Sequence, residues 1–183
     1  EGSSILVSRA TGPDQRSQVY VIGNMDGGNV RVFERDATTG MLAMPGSLLT
    51  VDSIDSLALS PDGAHVYVFD NENDRVAVYE RDLDSGGLTR IQTVPLPSPC
   101  NILPGCGTLT VSPDGRRVYA GYSGPGTLAI YDRAISGNIE DIGKLRFLDS
   151  KAVEFVAGIA VSPNSERAYV VSSSILAFQR EAQ

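Results

Sequence analysis

The apolar positions of this chain fall into short runs that alternate or persist for four to six residues and are then cut by turn residues. The clearest stretch reads Leu57-Ala58-Leu59-Ser60-Pro61-Asp62-Gly63-Ala64-His65-Val66-Tyr67-Val68, then Arg75-Val76-Ala77-Val78-Tyr79-Glu80-Arg81-Asp82. Runs this short, with a period of two and bounded by Pro, Asp and Gly, predict β-strands joined by tight turns. The phrase recurs. Its first strand returns as Leu109-Thr110-Val111-Ser112-Pro113-Asp114-Gly115 and Ile159-Ala160-Val161-Ser162-Pro163-Asn164-Ser165, with a decayed copy at Ile5-Leu6-Val7-Ser8 and Gly12-Pro13-Asp14. Second strands carry Tyr20, Tyr67, Tyr119 and Tyr169; third strands end in an aromatic, one residue, and Arg35, Arg81, Arg133 or Arg180.

Proline at the first central turn position pre-sets φ, Asp tolerates the next, and Gly accepts positive φ, so Ser-Pro-Asp-Gly turns the first strand tightly into the second. Thr38-Thr39-Gly40, Asp84-Ser85-Gly86-Gly87 and Ile135-Ser136-Gly137-Asn138 are hairpin chemistry between third and fourth strands. Fourth strands are expected around Leu42-Ala43, from Leu88 to Val94 and from Leu145 to Leu148; the last copy has none before Gln183. A repeat near fifty residues built of strands and turns predicts an all-β chain of four-stranded antiparallel blades, a β-propeller. The expected blades are 3–51, 55–95, 108–149 and 157–183, with 96–107 as a cysteine-containing loop between two of them.

Ser-Pro-Asp-Gly-x-x-Val-Tyr-Val, followed by Val-x-Val-Tyr/Phe-x-Arg-Asp and a Ser/Thr-Gly turn, resembles the YVTN-type repeat of bacterial β-propellers, including the seven-bladed lactonase-like family. The resemblance implies the propeller fold, and its lactonase-like members imply opening of a cyclic ester at the centre of the ring. Because such propellers also serve as binding proteins and scaffolds, it implies no single activity. About four repeats are fewer than that family's seven. The open blade faces are then broad apolar surfaces. They are expected to be covered by more of the same polypeptide or by another chain, unless the N-terminal segment closes a small four-bladed ring.

Composition narrows the partners. A net charge of −7 and a pI near 4.6 disfavour nucleic acid and anionic membrane surfaces. No apolar run approaches the roughly 20 residues that a membrane-spanning helix needs. Glu1 is not a start methionine, which points to a removed leader or a piece of a longer chain. Cys100 and Cys106 share a Pro/Gly-rich loop and are expected to form a disulfide, worth roughly 2 kcal/mol in chain-entropy terms. Such a bond places the protein in an extracellular or periplasmic compartment. Two thiols with one distant histidine do not make a zinc site.

Blade order sorts the charges between two ends. Loops between second and third strands, with the connections between blades, collect Asp26, Asp52, Asp55, Asp70, Glu72, Asp74, Asp149 and Glu154, against Arg75 and Lys151. The Ser-Pro-Asp-Gly end mixes acids with Arg16, Arg116, Arg117, Arg133 and Arg167. Converging carboxylates attract cations and basic partners, so the acidic set is the candidate binding face. Asp70, Glu72 and Asp74 alternate as calcium ligands do, but the glycine of a compact calcium loop is missing and a solvated turn is the preferred reading. No nucleophile elbow is present. His65, the lone histidine, starts a strand after a turn, where an exposed, non-catalytic residue is expected. The repeated arginines and tyrosines read as structural, a strand-end guanidinium meeting a nearby Asp or turn carbonyl and a packed ring finding a local partner. The leading expectation is therefore a binding or scaffold module, acting through its acidic end or its open blade faces. The alternatives are a lactonase-like hydrolase and a calcium-stabilised adhesin repeat.

Overall fold

In a computed structural model the structure describes residues 5–8, 17–23, 29–43, 48–50, 54–100, 107–124 and 126–180. The first sheet comprises β1 (Ile5–Val7), β2 (Ser17–Gly23), β3 (Asn29–Arg35) and β4 (Leu42–Ala43), with β5 (Leu48–Thr50) also paired to β3. The second holds β6 (Ile54–Leu59), β7 (His65–Asp70), β8 (Arg75–Arg81) and β9 (Leu88–Pro95). In the third are β10 (Gly107–Val111), β11 (Arg117–Tyr122), β12 (Thr127–Arg133) and β13 (Leu145–Ala152). The fourth has β14 (Gly158–Val161), β15 (Arg167–Val171) and β16 (Ile175–Gln179). Neighbouring strands within each sheet run antiparallel in chain order, the meander of a propeller blade.

The core lies between sheets. Tyr20, Ile22, Val30 and Val32 of the first sheet pack on Ile54, Leu57, Val66, Val68, Ala77 and Tyr79 of the second. The other side of the second sheet, with Tyr67, Phe69, Val76 and Val78, packs on Val118, Ala120, Ala129, Tyr131 and Leu145 of the third. Tyr119 and Leu128 then meet Val156, Ala168 and Val170. Because successive side chains point to opposite faces, β7 and β11, covered on both sides, are buried at every position. Along β15, at the end of the stack, burial alternates instead.

The serine of each Ser-Pro-Asp-Gly turn works as a bracket. Ser60 Oγ donates to Asp62 Oδ1 (2.5 Å) and accepts from the His65 amide (2.9 Å), while Gly63 sits at φ +75°. Ser112 makes the same pair with Asp114 (2.6 Å) and Arg117 (2.9 Å). In the fourth sheet Ser165 replaces the glycine and still adopts φ +61°; its hydroxyl accepts from the Asp114 amide of the third sheet (3.0 Å).

Three expectations change. His65 is buried, 6% exposed, because the loop before β13 folds over it. Between β12 and β13 the chain makes a longer excursion than a hairpin, with a 3₁₀ turn at Ile139–Asp141 capped by the Asn138 side chain. Fourth strands run further than expected: β13 reaches Ala152, and the outer edge of the first sheet continues in β5.

Candidate functional site

Four of the sequence-selected acids gather at one end of the second sheet. Asp55 is on the innermost strand; its Oδ1 accepts from Asn71 Nδ2 (3.2 Å) and its Oδ2 from the Gly107 amide of the third sheet (3.1 Å). Asp70, fully buried, pairs with Arg75 Nε at 2.7 Å and accepts from the Asn73 amide and side chain. Asp74, at φ 48°, receives the Cys100 amide at 2.6 Å, and its carbonyl receives the Leu96 amide at 2.8 Å. Glu72 is exposed at the tip of the same turn. These carboxylates splay apart to separate donors, and among the described residues no group of three His, Cys, Asp or Glu is set to hold a metal.

The remaining acids lie elsewhere. Glu154 accepts from the Ser173 hydroxyl at the corresponding end of the fourth sheet. Asp149 stands in the middle of β13, opposite Ile130, paired with Lys151 at 2.5 Å. The Lys151 ammonium and the Ser150 amide hold its carboxyl below the usual range. It lines a groove of about 290 Å³ with Tyr119, Leu148 and Phe178, beside the edge of β16. Asp26 and Asp52 lie outside the described residues, as does Cys106. Cys100 is buried and is not a free cysteine.

The opposite end is built around the arginines. Arg133, at the end of β12, donates from Nε to Tyr67 Oη of the second sheet (2.6 Å) and from Nη1 to the Gly115 carbonyl of its own turn (3.2 Å). Its Nη2 pairs with Asp62 (2.7 Å) and lies 3.2 Å from His65 Nδ1. Tyr67 Oη in turn donates to the Gly143 carbonyl (3.0 Å), so hydroxyl and guanidinium clasp two sheets together. Burial opposes the ionised Asp62, but the Ser60 hydroxyl, the Ala64 amide and Arg133 outweigh it and hold its pKa at about 2. Burial, reinforced by Arg133, keeps the His65 pKa below its ordinary value.

One sheet earlier the same device recurs with different chemistry. Arg81 donates to Tyr20 Oη (2.8 Å), to the Gly63 carbonyl (2.8 Å), and to Gln18 Oε1 and Ser8 Oγ, while Tyr20 Oη donates to Gly86 O (2.9 Å). Arg180 of the fourth sheet reaches Asp114 of the third. The repeated Tyr and Arg were legible in the sequence, but the reach of each Arg into the preceding blade was not. A fixed offset could have signalled it: Gly86-Gly87-Leu88 and Gly143-Lys144-Leu145 each place a glycine two residues before the buried or half-buried leucine that opens the fourth strand. An added Cβ at Gly143 would meet His65 at 2.0 Å, and at Gly86 it would meet Gln18 at 2.6 Å, so both turns must come this close without a side chain.

Stacked antiparallel sheets of three to five strands joined in this way make the chain a stretch of β-propeller. Solved structures agree. A Bacteroides fragilis protein assigned as a 6-phosphogluconolactonase matches 98% of this chain and 51% of its own, with TM-score 0.73 and 19% identity. A Bacteroides uniformis protein with the same assignment matches 93% and 52%, with TM-score 0.68 and 19% identity. The periplasmic gluconolactonase of Pseudomonas aeruginosa matches 96% and 49%, with TM-score 0.69 and 23% identity. The chain thus spans about half the length of these propellers, and the likeness is one of fold. No family model and no curated protein matches the sequence. Among the described residues no helix is long and apolar enough to cross a membrane.

Proposed function

We propose that the chain is part of a lactonase-like propeller hydrolase that opens a cyclic ester at the end of the ring where Asp55 lies. The observation that supports this over a pure binding scaffold is the match, across nearly the whole chain, to propellers described as a 6-phosphogluconolactonase and a gluconolactonase. Opening an ester with water needs a base to take a proton and donors to receive the developing oxyanion. Asp55 fits the first role: it sits on an innermost strand, held in place by Asn71 and the Gly107 amide. Among the described residues the buried Asn71 Oδ1 has no hydrogen-bond partner.

In this reading the ring is completed by further blades, and the protein works in the periplasm or outside the cell. A Cys100–Cys106 disulfide belongs to the same proposal. The chemistry requires no calcium at Asp70, Glu72 and Asp74, so chelation should leave the melting temperature unchanged. The test is pH-stat hydrolysis of a panel of aldonolactones, by this chain and by a version extended with the blades it lacks. Turnover that falls by about 100-fold or more in Asp55→Asn supports the reading, on the usual scale of acid–base catalysis. A folded, completed ring that hydrolyses none of the panel overturns it.

A further inference from the structure

Gln18 and His65 stand at the same place in neighbouring blades, each two residues before the tyrosine of the clasp. Gln18 is a bridge. Its Oε1 accepts from Arg81, and its Nε2 donates to the Asp84 carbonyl in the connection between β8 and β9 (3.2 Å). His65 makes the same bridge one interface further on. Its Nδ1 lies 3.2 Å from Arg133 Nη2, and the ring also hydrogen-bonds the Ile142 backbone in the connection between β12 and β13. A guanidinium only donates, so Nδ1 is the accepting nitrogen and the single ring proton sits on Nε2, facing the Ile142 carbonyl.

The two bridges differ in what acid does to them. An amide keeps its donor and its acceptor at every pH, whereas an imidazole keeps an acceptor only while neutral. A second proton puts an N–H on Nδ1 against the N–H groups of Arg133 and sets two cations side by side. The ring has no slack in which to adjust: His65 is 6% exposed, and a Cβ added at Gly143 would meet it at 2.0 Å. The charged groups around it are Asp62 in the turn before β7, Glu80 opposite on β8, Arg133 from β12, and Glu140 and Lys144 of the excursion. Asp62 is already engaged by Ser60, Ala64 and Arg133. Glu80 is exposed and shares with His65 a groove of about 520 Å³ lined by Ile91, Ile139 and Ile142. Burial and Arg133 hold the His65 pKa below its ordinary value against the opposing pull of Asp62, Glu80 and the Ile142 bond.

We propose that His65 is the latch of an acid-released flap formed by the excursion 134–144. While neutral, the ring ties Arg133 to the excursion. Once protonated, it turns from Arg133 toward Glu80 and gives up the Ile142 carbonyl. The excursion then lifts, uncovering the half-buried Ile91 and Ile142. The flap lies between the second and third sheets, at the end of the stack away from Asp55, and it stands apart from the proposed hydrolysis.

Amide hydrogen exchange, expressed as protection relative to the unfolded chain and followed from pH 7.5 to pH 5, reads the flap site by site. The Gly143 and Lys144 amides, bonded within the excursion to the Ala134 and Asp141 carbonyls, should lose protection about tenfold. Gly86, bonded to Asp82 in the equivalent turn beside Gln18, should keep its protection. Asp62, with its pKa at about 2, stays charged throughout and does not confuse the reading. His65→Gln installs the Gln18 bridge and should keep the flap closed across the range, while Glu80→Gln should move its release to lower pH. Constant protection at Gly143 in the wild type overturns the proposal. So does a loss that persists in His65→Gln or is unmoved in Glu80→Gln, or an equal loss at buried Val68 and Ala120, which would report unfolding of the whole stack.

Discussion

The interface between the first and second sheets and that between the second and third use the same arginine–tyrosine clasp with different anchors. Arg81 ends on the neutral oxygens of Gln18 and Ser8. Arg133 ends on the Asp62 carboxylate with His65 wedged beside it. Geometry is conserved between the two interfaces, as the matching Tyr–Gly and Arg–Gly distances show, while the charge state is free to vary. What the blades require of each other is a buried donor fork satisfied on every side; an ion pair is one way to achieve it.

The largest effect should come from removing a fork. Arg133→Ala takes their guanidinium donor from Tyr67 Oη and the Gly115 carbonyl and leaves Asp62 with only Ser60 and Ala64, at a cost of about 3 kcal/mol in urea unfolding. If Arg81→Ala costs nearly as much, the clasp matters more than its charge. Should only Arg133→Ala be costly, the comparison breaks in favour of the ion pair. Next comes Gly143→Ala, which combines φ +86° with the contact at His65 and should cost about 2 kcal/mol by the same measurement, against little for Gly158→Ala, which meets open space and needs no positive φ.

Acid should separate the two interfaces. His65 has its pKa lowered in the fold, so the unfolded chain binds the proton more readily. Its contribution is fully present above the unfolded value of 6.5 and is lost as pH falls from there. Asp62 contributes above 3.8, and that contribution is lost as pH drops toward about 2. Thermal melts from pH 8 to pH 4 should therefore show a loss of stability that His65→Gln flattens. The Gln18 clasp has no such group, so Gln18→Leu, which adds none, should leave the shape of the profile unaltered. The smallest effect is expected at Ser165→Gly, which relieves a positive φ but gives up the hydroxyl bond to Asp114, for a net change within about 0.5 kcal/mol of zero.

Much of the fold was readable because strand period, turn chemistry and repeat length agree, and each is local. Tyr67 and Arg133 were legible as structural residues for the same reason. The buried state of His65 was not, because it depends on the excursion 134–144, whose 3₁₀ turn interrupts an otherwise hairpin-like sequence. Among the acids, Asp55, Asp70, Glu72 and Asp74 could be placed at one end from blade order alone. Asp149 could not: the length of β13 decides whether it stands in a loop or a strand, and a fourth strand facing solvent has weak apolar alternation. That Asp55 is tied to the next blade through Gly107, while Asp70 serves Arg75, is pairing information that spacing does not carry.

A double-mutant cycle on Tyr67 and Arg133, which lie on different sheets, tests most directly whether the clasp joins the blades. With Tyr67→Phe, Arg133→Met and the double variant unfolded in urea, the account predicts a coupling of about 1–2 kcal/mol, within the range for contacting residues in one network. Strictly additive effects would contradict it.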